Sequence, residues 1–92
     1  MKTWRKQPRD FLDYDILGGD WLATDDEIVD VQMRLPDEMD DLTVNLGAVT
    51  PHIAKLWIGG GVSGKAYRVE VLLETLRGRV KEVDLMFVVA EI

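Results

Sequence analysis

The chain contains no cysteine, a single histidine, His52, and a single serine, Ser63. The absence of cysteine excludes a disulfide framework, thiol catalysis and a metal site built from histidine and cysteine. A serine nucleophile would need Ser63 beside His52, but Ser63 lies in a glycine-rich turn and no G-x-S-x-G elbow surrounds it. We therefore expect a protein that is not an enzyme, and no catalytic residue and no cofactor are predicted.

Long apolar runs are also missing. The longest uncharged apolar run near the C-terminus covers residues 85–90, which is far too short to span a bilayer. Residues 1–9 lack the apolar core of a signal peptide. We expect a soluble protein, made in the cytoplasm, without a membrane partner. With 92 residues and 47% hydrophobic content, the chain is expected to form one domain with a modest core.

Residues 58–66, IGGGVSGKA, contain the glycine and lysine spacing that opens a phosphate-binding loop. Such a loop needs serine or threonine after the lysine to hold Mg²⁺, and it must open a helix. Ala66 stands at that position, and the residues from Tyr67 to Leu73 alternate as in a half-buried strand. We interpret the segment as a strand–turn–strand connection in which glycine supplies positive φ, and no nucleotide is expected.

Charge is distributed unevenly along the chain. Residues 1–9 carry four basic side chains and no acidic one, whereas residues 10–41 carry twelve Asp or Glu against Arg34 alone. The net charge of −6 disfavours a nucleic acid partner. We interpret residues 1–9 as a basic N-terminal arm that contacts an acidic surface, such as a neighbouring copy. A frayed, solvated terminus is the alternative.

Two acidic clusters, at residues 25–27 and 37–41, offer oxygen ligands of the kind that Ca²⁺ prefers. No twelve-residue EF-hand spacing is present, and acidic clusters in turns are usually solvated. No metal site is predicted.

Short segments of alternating apolar and polar residues recur between turn residues. The predicted strands cover residues 10–16, 27–34, 42–49, 52–58, 66–76 and 80–92. The side chains expected to face the core are Leu12, Tyr14, Ile16, Val29, Val31, Met33, Val44, Leu46, Ala48, Val83, Leu85, Phe87 and Val89. The pattern predicts an all-β fold, a small antiparallel immunoglobulin-like β-sandwich of six or seven strands over residues 10–92, with residues 1–9 as its arm.

The aromatic residues carry further expectations. Tyr67 stands at the start of the penultimate strand, where a tyrosine corner would bond an upstream backbone group; a simple core-edge aromatic is the alternative. Trp57 and Trp21 are expected to pack in the core, although an exposed Trp57 would be a binding anchor. Trp4 lies among basic residues, which is the composition of an interface anchor. The predicted assembly interface consists of Trp4, Arg5, Lys6 and Arg9.

Several short motifs together resemble one family of phage proteins. They are "LDY" at 12–14, "DWL" at 20–22, "DEI" at 26–28, "LWIGGGVSGKAY" at 56–67 and "GR" at 78–79. In this set the sequence resembles the small bacteriophage fiber–tail adaptors over nearly the whole chain from residue 8. Gly59, where that family usually has serine, Arg9 and the acidic stretch 34–51 depart from the pattern.

The resemblance implies a non-enzymatic virion structural protein of the tail, a fiber adaptor, made in the bacterial host cytoplasm. Its expected partners are other virion proteins of the tail, connector or fiber, with copies forming a ring-shaped homo-oligomer. The resemblance implies no catalytic or cofactor-binding residues. A capsid decoration protein of the same fold is one alternative. A carbohydrate-binding immunoglobulin-like module, with Trp57 and Trp21 as a sugar-stacking platform, is another.

Overall fold

The computed structural model describes residues 2–36 and 41–91, and the side chain of Asp20 is not described. Within this part of the chain there are seven β-strands and one short 3-10 helix, Gly19–Trp21. The strands are β1 (Lys2–Lys6), β2 (Phe11–Leu17), β3 (Ile28–Arg34), β4 (Leu42–Val49), β5 (Ile53–Gly60), β6 (Ala66–Thr75) and β7 (Val80–Val89). The described residues contain no helix with the length and apolar character needed to cross a membrane.

The strands form two sheets. The four-stranded sheet has the order β1-β7-β6-β3, and the three-stranded sheet has the order β2-β5-β4. Neighbouring strands are antiparallel, except that β1 runs parallel to β7. In an immunoglobulin domain the second, fifth and fourth strands share one sheet and the third, sixth and seventh share the other. The predicted all-β, immunoglobulin-like sandwich is therefore confirmed.

The core lies between the sheets and follows the two-residue period of the strands. Alternate side chains of β5, β6 and β7 are fully buried, because the inner faces of the two sheets pack against each other there. The buried apolar residues are Ile16, Ile28, Val31, Leu42, Ala54, Leu56, Ile58, Tyr67, Val69, Val71, Leu73, Leu85, Phe87 and Val89. Trp21 and Leu22 pack against this core from the 3-10 segment after β2.

Three strands differ from the predicted faces. In β2, Leu12 was predicted to face the core but is 49% exposed. In β3 the register shifts between Ile28 and Asp30, so Ile28 is buried and Val29, predicted to face the core, is exposed. In β4 the register shifts after Leu46, which with Ala48 is exposed rather than buried. Val29 and Ala48 lie in the unpaired stretch at each irregularity, which accounts for their exposure. Leu46 precedes the shift and pairs with Leu56, so its exposure has a different cause.

The basic N-terminal segment is also different from the expected arm. Residues 2–6 form β1, an edge strand of the four-stranded sheet, so they belong to the sandwich. Trp4 faces inward, with its ring centroid 5.3 Å from that of Phe87 and 5.0 Å from that of Tyr14. Lys6 is only 3% exposed, and its Nζ donates hydrogen bonds to the carbonyl oxygens of Gly60 and Gln7. Two of the four predicted interface residues, Trp4 and Lys6, therefore pack within the domain.

Tyr67 forms the predicted tyrosine corner. The backbone N–H of Val62, five residues upstream, donates to the Tyr67 hydroxyl at 2.9 Å, and the hydroxyl donates to Oδ2 of Asp41 at 3.0 Å. The glycine-rich segment is a connection between β5 and β6, as predicted, and Gly60 and Gly61 adopt φ of 73° and 92°. The ring of Tyr67 is completely buried beneath this loop.

Replacing Tyr67 with phenylalanine should lower the free energy of unfolding by about 1–3 kcal/mol, because the Val62 N–H and the Asp41 carboxylate lose their partner while the ring stays. Urea unfolding monitored by circular dichroism measures this change. Tyr14→Phe keeps the contacts of the Tyr14 ring and is the matched control. Equal stabilities of Tyr67→Phe and the wild type would show that the corner contributes nothing.

Candidate functional site

The only histidine and the only serine lie at opposite ends of the sandwich. His52 immediately precedes β5, and Ser63 follows it in the glycine-rich loop. A strand of this length, 8 residues, spans about 25 Å. The hydroxyl of Ser63 instead accepts a hydrogen bond from the backbone N–H of Glu91 at 3.3 Å. These two side chains cannot form a nucleophilic pair in this fold.

The outer face of the three-stranded sheet carries an exposed aromatic pair. Phe11 begins β2, and Trp57 lies on the neighbouring strand β5, with ring centroids 5.5 Å apart and planes inclined by 29°. Phe11 is 53% exposed, and Trp57 is half-buried on the same outer face, opposite the buried Leu56 and Ile58. The expectation that Trp57 packs in the core is wrong, because its position in the strand directs it outward. We call Phe11 and Trp57 the aromatic shelf.

Two glycines leave room for the aromatic shelf. Gly59 lies directly opposite Phe11 across the strand pair, and a Cβ at this position would lie 2.5 Å from Cδ1 of Phe11. A Cβ at Gly47 would lie 3.0 Å from Cδ1 and Nε1 of Trp57. Both rings therefore lie close to the backbone of the sheet. The sequence carries a signal for this arrangement, since a glycine inside a strand often marks a site of close approach.

Charged side chains border the aromatic shelf. Nζ of Lys55 lies 2.5 Å from Oδ2 of Asp13 and 3.0 Å from Oδ1 of Asp15. The hydrogen bond from Lys55 holds the pKa of Asp13 below its ordinary value, and the hydrogen bonds to Asp13 and Asp15 raise the pKa of Lys55. An apolar centre beside partly neutralised charges is the usual anatomy of a protein contact surface.

The outer face of the four-stranded sheet carries a groove of different character. It has a volume of about 450 Å³ and crosses β3, β6 and β7; its lining residues are Gln32, Met33, Arg34, Glu70, Leu72 and Glu82. A smaller depression of about 150 Å³ shares Gln32 and Leu72 and extends to Asp30, Glu74 and Val80. Because they share lining residues, the two depressions are continuous, and we call them the acidic groove.

The predicted assembly interface is divided by the fold. Arg5 and Arg9 are exposed, whereas Trp4 and Lys6 point into the sandwich. Burial lowers the pKa of Lys6, and the nearby Asp10 opposes this effect. The side chains of Arg5 and Arg9 are therefore the ones of this set that a partner can reach.

The acidic cluster at 25–27 has a structural role. Asp25 forms a two-pronged contact with Nη1 of Arg77, at 2.9 and 3.0 Å. Asp26 is 3% exposed, and its Oδ1 accepts hydrogen bonds from the backbone N–H groups of Glu27 and Arg77. Burial would raise the pKa of Asp26, but the Thr75 side chain and these N–H groups outweigh it, so the pKa lies below its ordinary value. In the second cluster, residues 37–40 lie outside the described part of the chain.

A third group of carboxylates lies on the outer face of the four-stranded sheet. Glu70, Glu82 and Asp84 each offer an oxygen within 4.8 Å of the others. Arg34 contacts Glu70 at 2.7 Å, and Arg68 contacts it at 3.4 Å. The two arginines balance part of the negative charge in the way that a bound cation would.

Comparison with known protein families identifies the family of the chain. The family model described as podophage GP4 fiber-tail adaptor protein gp77 matches residues 6–88. The matched segment includes all strands from β2 to β6, the tyrosine corner, the aromatic shelf and most of β7. No curated protein matches the chain.

Replacing Asp26 with asparagine should lower the free energy of unfolding at pH 7. It should also make this free energy fall less steeply as the pH is lowered. A carboxylate whose folded pKa is depressed stabilises the fold above its unfolded pKa, near 3.8, and this contribution is lost as the pH falls through the folded pKa. Urea midpoints measured from pH 7 to pH 2 test this. Asp25→Asn removes an exposed charge next to it and is the control, expected to cost at most about 1 kcal/mol. If the urea midpoints of the wild type and Asp26→Asn fall by the same amount between pH 7 and pH 2, the Asp26 carboxylate does not have this stabilising role.

Replacing Gly59 with alanine should displace the Phe11 ring from Trp57 while the domain stays folded. The half-exposed ring can rotate away from the new methyl group, so stability should change by no more than about 1 kcal/mol. The ring-current shift of the Trp57 indole N–H, measured by NMR, should move in the same direction as in Phe11→Ala, the reference for a missing ring. An unchanged Trp57 signal in Gly59→Ala would mean that glycine is not needed to seat Phe11.

Proposed function

Because the chain belongs to the podophage GP4 fiber-tail adaptor family, we propose that it is a non-enzymatic virion protein that docks one component of the tail to another. Its partners are other virion proteins of the tail, connector or fiber. It acts as a folded spacer with contact surfaces, and its synthesis takes place in the cytoplasm of the bacterial host.

The observation that carries this proposal is the aromatic shelf on the outer face of the three-stranded sheet. Tryptophan and other large aromatics supply much of the binding energy at protein interfaces when they become fully desolvated. Phe11 is more than half exposed and Trp57 half-buried, so a partner can cover both. The rings pack on glycines and stack on each other, which restricts them before docking and lowers the side-chain entropy that docking would cost.

An adaptor needs two separate surfaces, and the two outer faces of the sandwich provide them. The aromatic shelf lies on one sheet, and the acidic groove lies on the other. One partner can therefore cover the shelf while the groove stays accessible to another protein or to a further copy. Copies arranged in a ring would present the shelf repeatedly and gain affinity through multivalency.

The two alternatives differ in what they require of the surface. The sugar-stacking platform was expected from Trp57 and Trp21, but Trp21 packs against the core and only Trp57 lies on an outer face. That pair does not form a platform. A capsid decoration protein would use the same fold, and copy number distinguishes it from a tail protein.

The test of the proposed function is sedimentation of intact particles of the source phage or induced prophage, followed by quantitative mass spectrometry. A tail adaptor should pellet with the virions at the copy number of a tail ring. A copy number comparable to that of the major capsid protein would identify a decoration protein instead. Absence from the washed virions would refute a virion role.

Phe11→Ala and Trp57→Ala should each reduce incorporation into virions at least about tenfold, since loss of an aromatic anchor typically costs about 2 kcal/mol or more of binding. The measurement is complementation of a phage that lacks the gene, with the variant counted in purified particles. Val62→Ala, an exposed apolar residue in the β5–β6 loop, is the matched control and should be incorporated normally. Wild-type incorporation of both folded shelf variants would show that the shelf is not the docking surface.

A further inference from the structure

The charges without an ion-pair partner include a basic group and an acidic group at different places on the surface. Among residues 2–36 and 41–91, ion pairs involve Arg34, Lys55, Lys65, Arg68 and Arg77, each with a neighbouring carboxylate. The cations left outside these pairs include Arg5 and Arg9, on and just after β1. Lys2 also lacks an ion pair within these residues, but its Nζ lies 4.9 Å from the centroid of the Trp4 ring. The acids left outside them include Asp30, Glu74 and Glu82, around the acidic groove. The described chain therefore presents complementary charges at two places that do not contact each other.

The acidic groove has an apolar floor. Leu72 lies at its centre and is 40% exposed, and Val80 at its end is 65% exposed. Asp30, Glu74 and Glu82 stand around these two side chains. An apolar centre inside a charged rim favours a protein segment that can bury apolar atoms and place positive charges at the rim.

An exposed edge of the same domain carries charge opposite to that of the groove. We define the basic edge as Arg5 and Arg9. Within residues 2–36 and 41–91, strand β1 pairs with β7 alone, so its other side leaves backbone groups unpaired, as at any sheet edge. The aliphatic stems of the arginines can cover apolar atoms while their charged ends reach the rim. Charged side chains on an edge strand oppose its pairing with strands of other molecules. Because the charge here is positive, the edge favours contact with an acidic surface.

We propose that the basic edge of one copy docks in the acidic groove of the next copy. The two surfaces are different parts of the molecule, so the contact is heterologous. Repeating such a contact generates a ring when the rotation closes. This inference rests on the proposed function in one respect, since it names the surfaces through which adaptor copies join; the aromatic shelf is left free for the other virion component.

The test is a charge exchange between two variants of the purified full chain. Arg5→Glu with Arg9→Glu reverses the basic edge, and Glu74→Lys with Glu82→Lys reverses the groove. All four side chains are exposed, so both variants should fold, as circular dichroism will verify. Sedimentation velocity should show concentration-dependent association of the wild type that weakens with salt. Each variant alone should associate at least tenfold more weakly.

An equimolar mixture of the two variants should restore association, because the acidic edge of one now meets the basic groove of the other. Glu91→Lys, a charge reversal at an exposed acid beyond the end of β7, should associate like the wild type. Should one double variant misfold, Leu72→Ser is the substitute probe of the groove and should also weaken association.

The proposal is overturned if the wild type stays monomeric at every concentration, if either folded double variant associates normally, or if the mixture of variants fails to recover. Virion sedimentation separates this failure from failure of the proposed function. A protein that is found in tails but whose copies do not associate would retain the adaptor role and lose the groove contact. A protein that associates as proposed but is absent from virions would retain the groove contact and lose the adaptor role.

Discussion

The hydroxyl group of Tyr67 joins three parts of the chain at one end of the sandwich: the start of β6, the β5–β6 loop through Val62, and the start of β4 through Asp41. Neighbouring bonds depend on the same geometry. The Gly61 N–H donates to the Asp41 carbonyl, and the Lys6 ammonium reaches the carbonyl of Gly60 from the opposite sheet. Because these bonds fix the exit of β5, they also fix where Gly59 lies and hence where Phe11 can rest. The aromatic shelf is thus a consequence of the way this end of the fold is closed.

The tryptophans show how one residue type serves different purposes in a small sandwich. Trp4 lies on an edge strand but faces inward, where it stacks on Phe87 and extends the core past the edge of the sheet. Trp57 lies on a central strand but faces outward, where its ring covers Gly47. Strand position along the sheet therefore does not decide burial; the parity of the residue within its strand does. Among the residues that the structure describes, Trp4 and Trp21 pack against the core, whereas Trp57 lies on the outer surface.

The alternation of apolar and polar residues was sufficient to predict the strands that pair with their neighbours without a register shift. Strands β6 and β7 pair without interruption over their shared length, and their alternating residues predicted both the fold and its buried face. The pattern failed for Val29 in β3 and Ala48 in β4, where the pairing shifts, because a shift is decided by the neighbouring strand and not by the segment itself. It failed in another way for Trp4 and Lys6. A basic composition predicts solvent, but parallel pairing with β7, a contact between the two ends of the chain, turns these side chains inward. The seat of Phe11 on Gly59 is a similar case, since it depends on the register between β2 and β5.

The surface chemistry of the two sheets bears directly on an adaptor role. A contact through the aromatic shelf would draw its energy mainly from apolar burial, which is largely insensitive to salt. A contact through the acidic groove and the basic edge would depend more on charge, which favours rapid and correctly oriented encounter. An adaptor that uses both can first be ordered by its charged surfaces and then be held by its aromatic one. The separation of these surfaces on opposite sheets keeps the two contacts from competing for the same residues. This division follows from the sandwich itself, which buries one face of each sheet and leaves the other face of each for recognition.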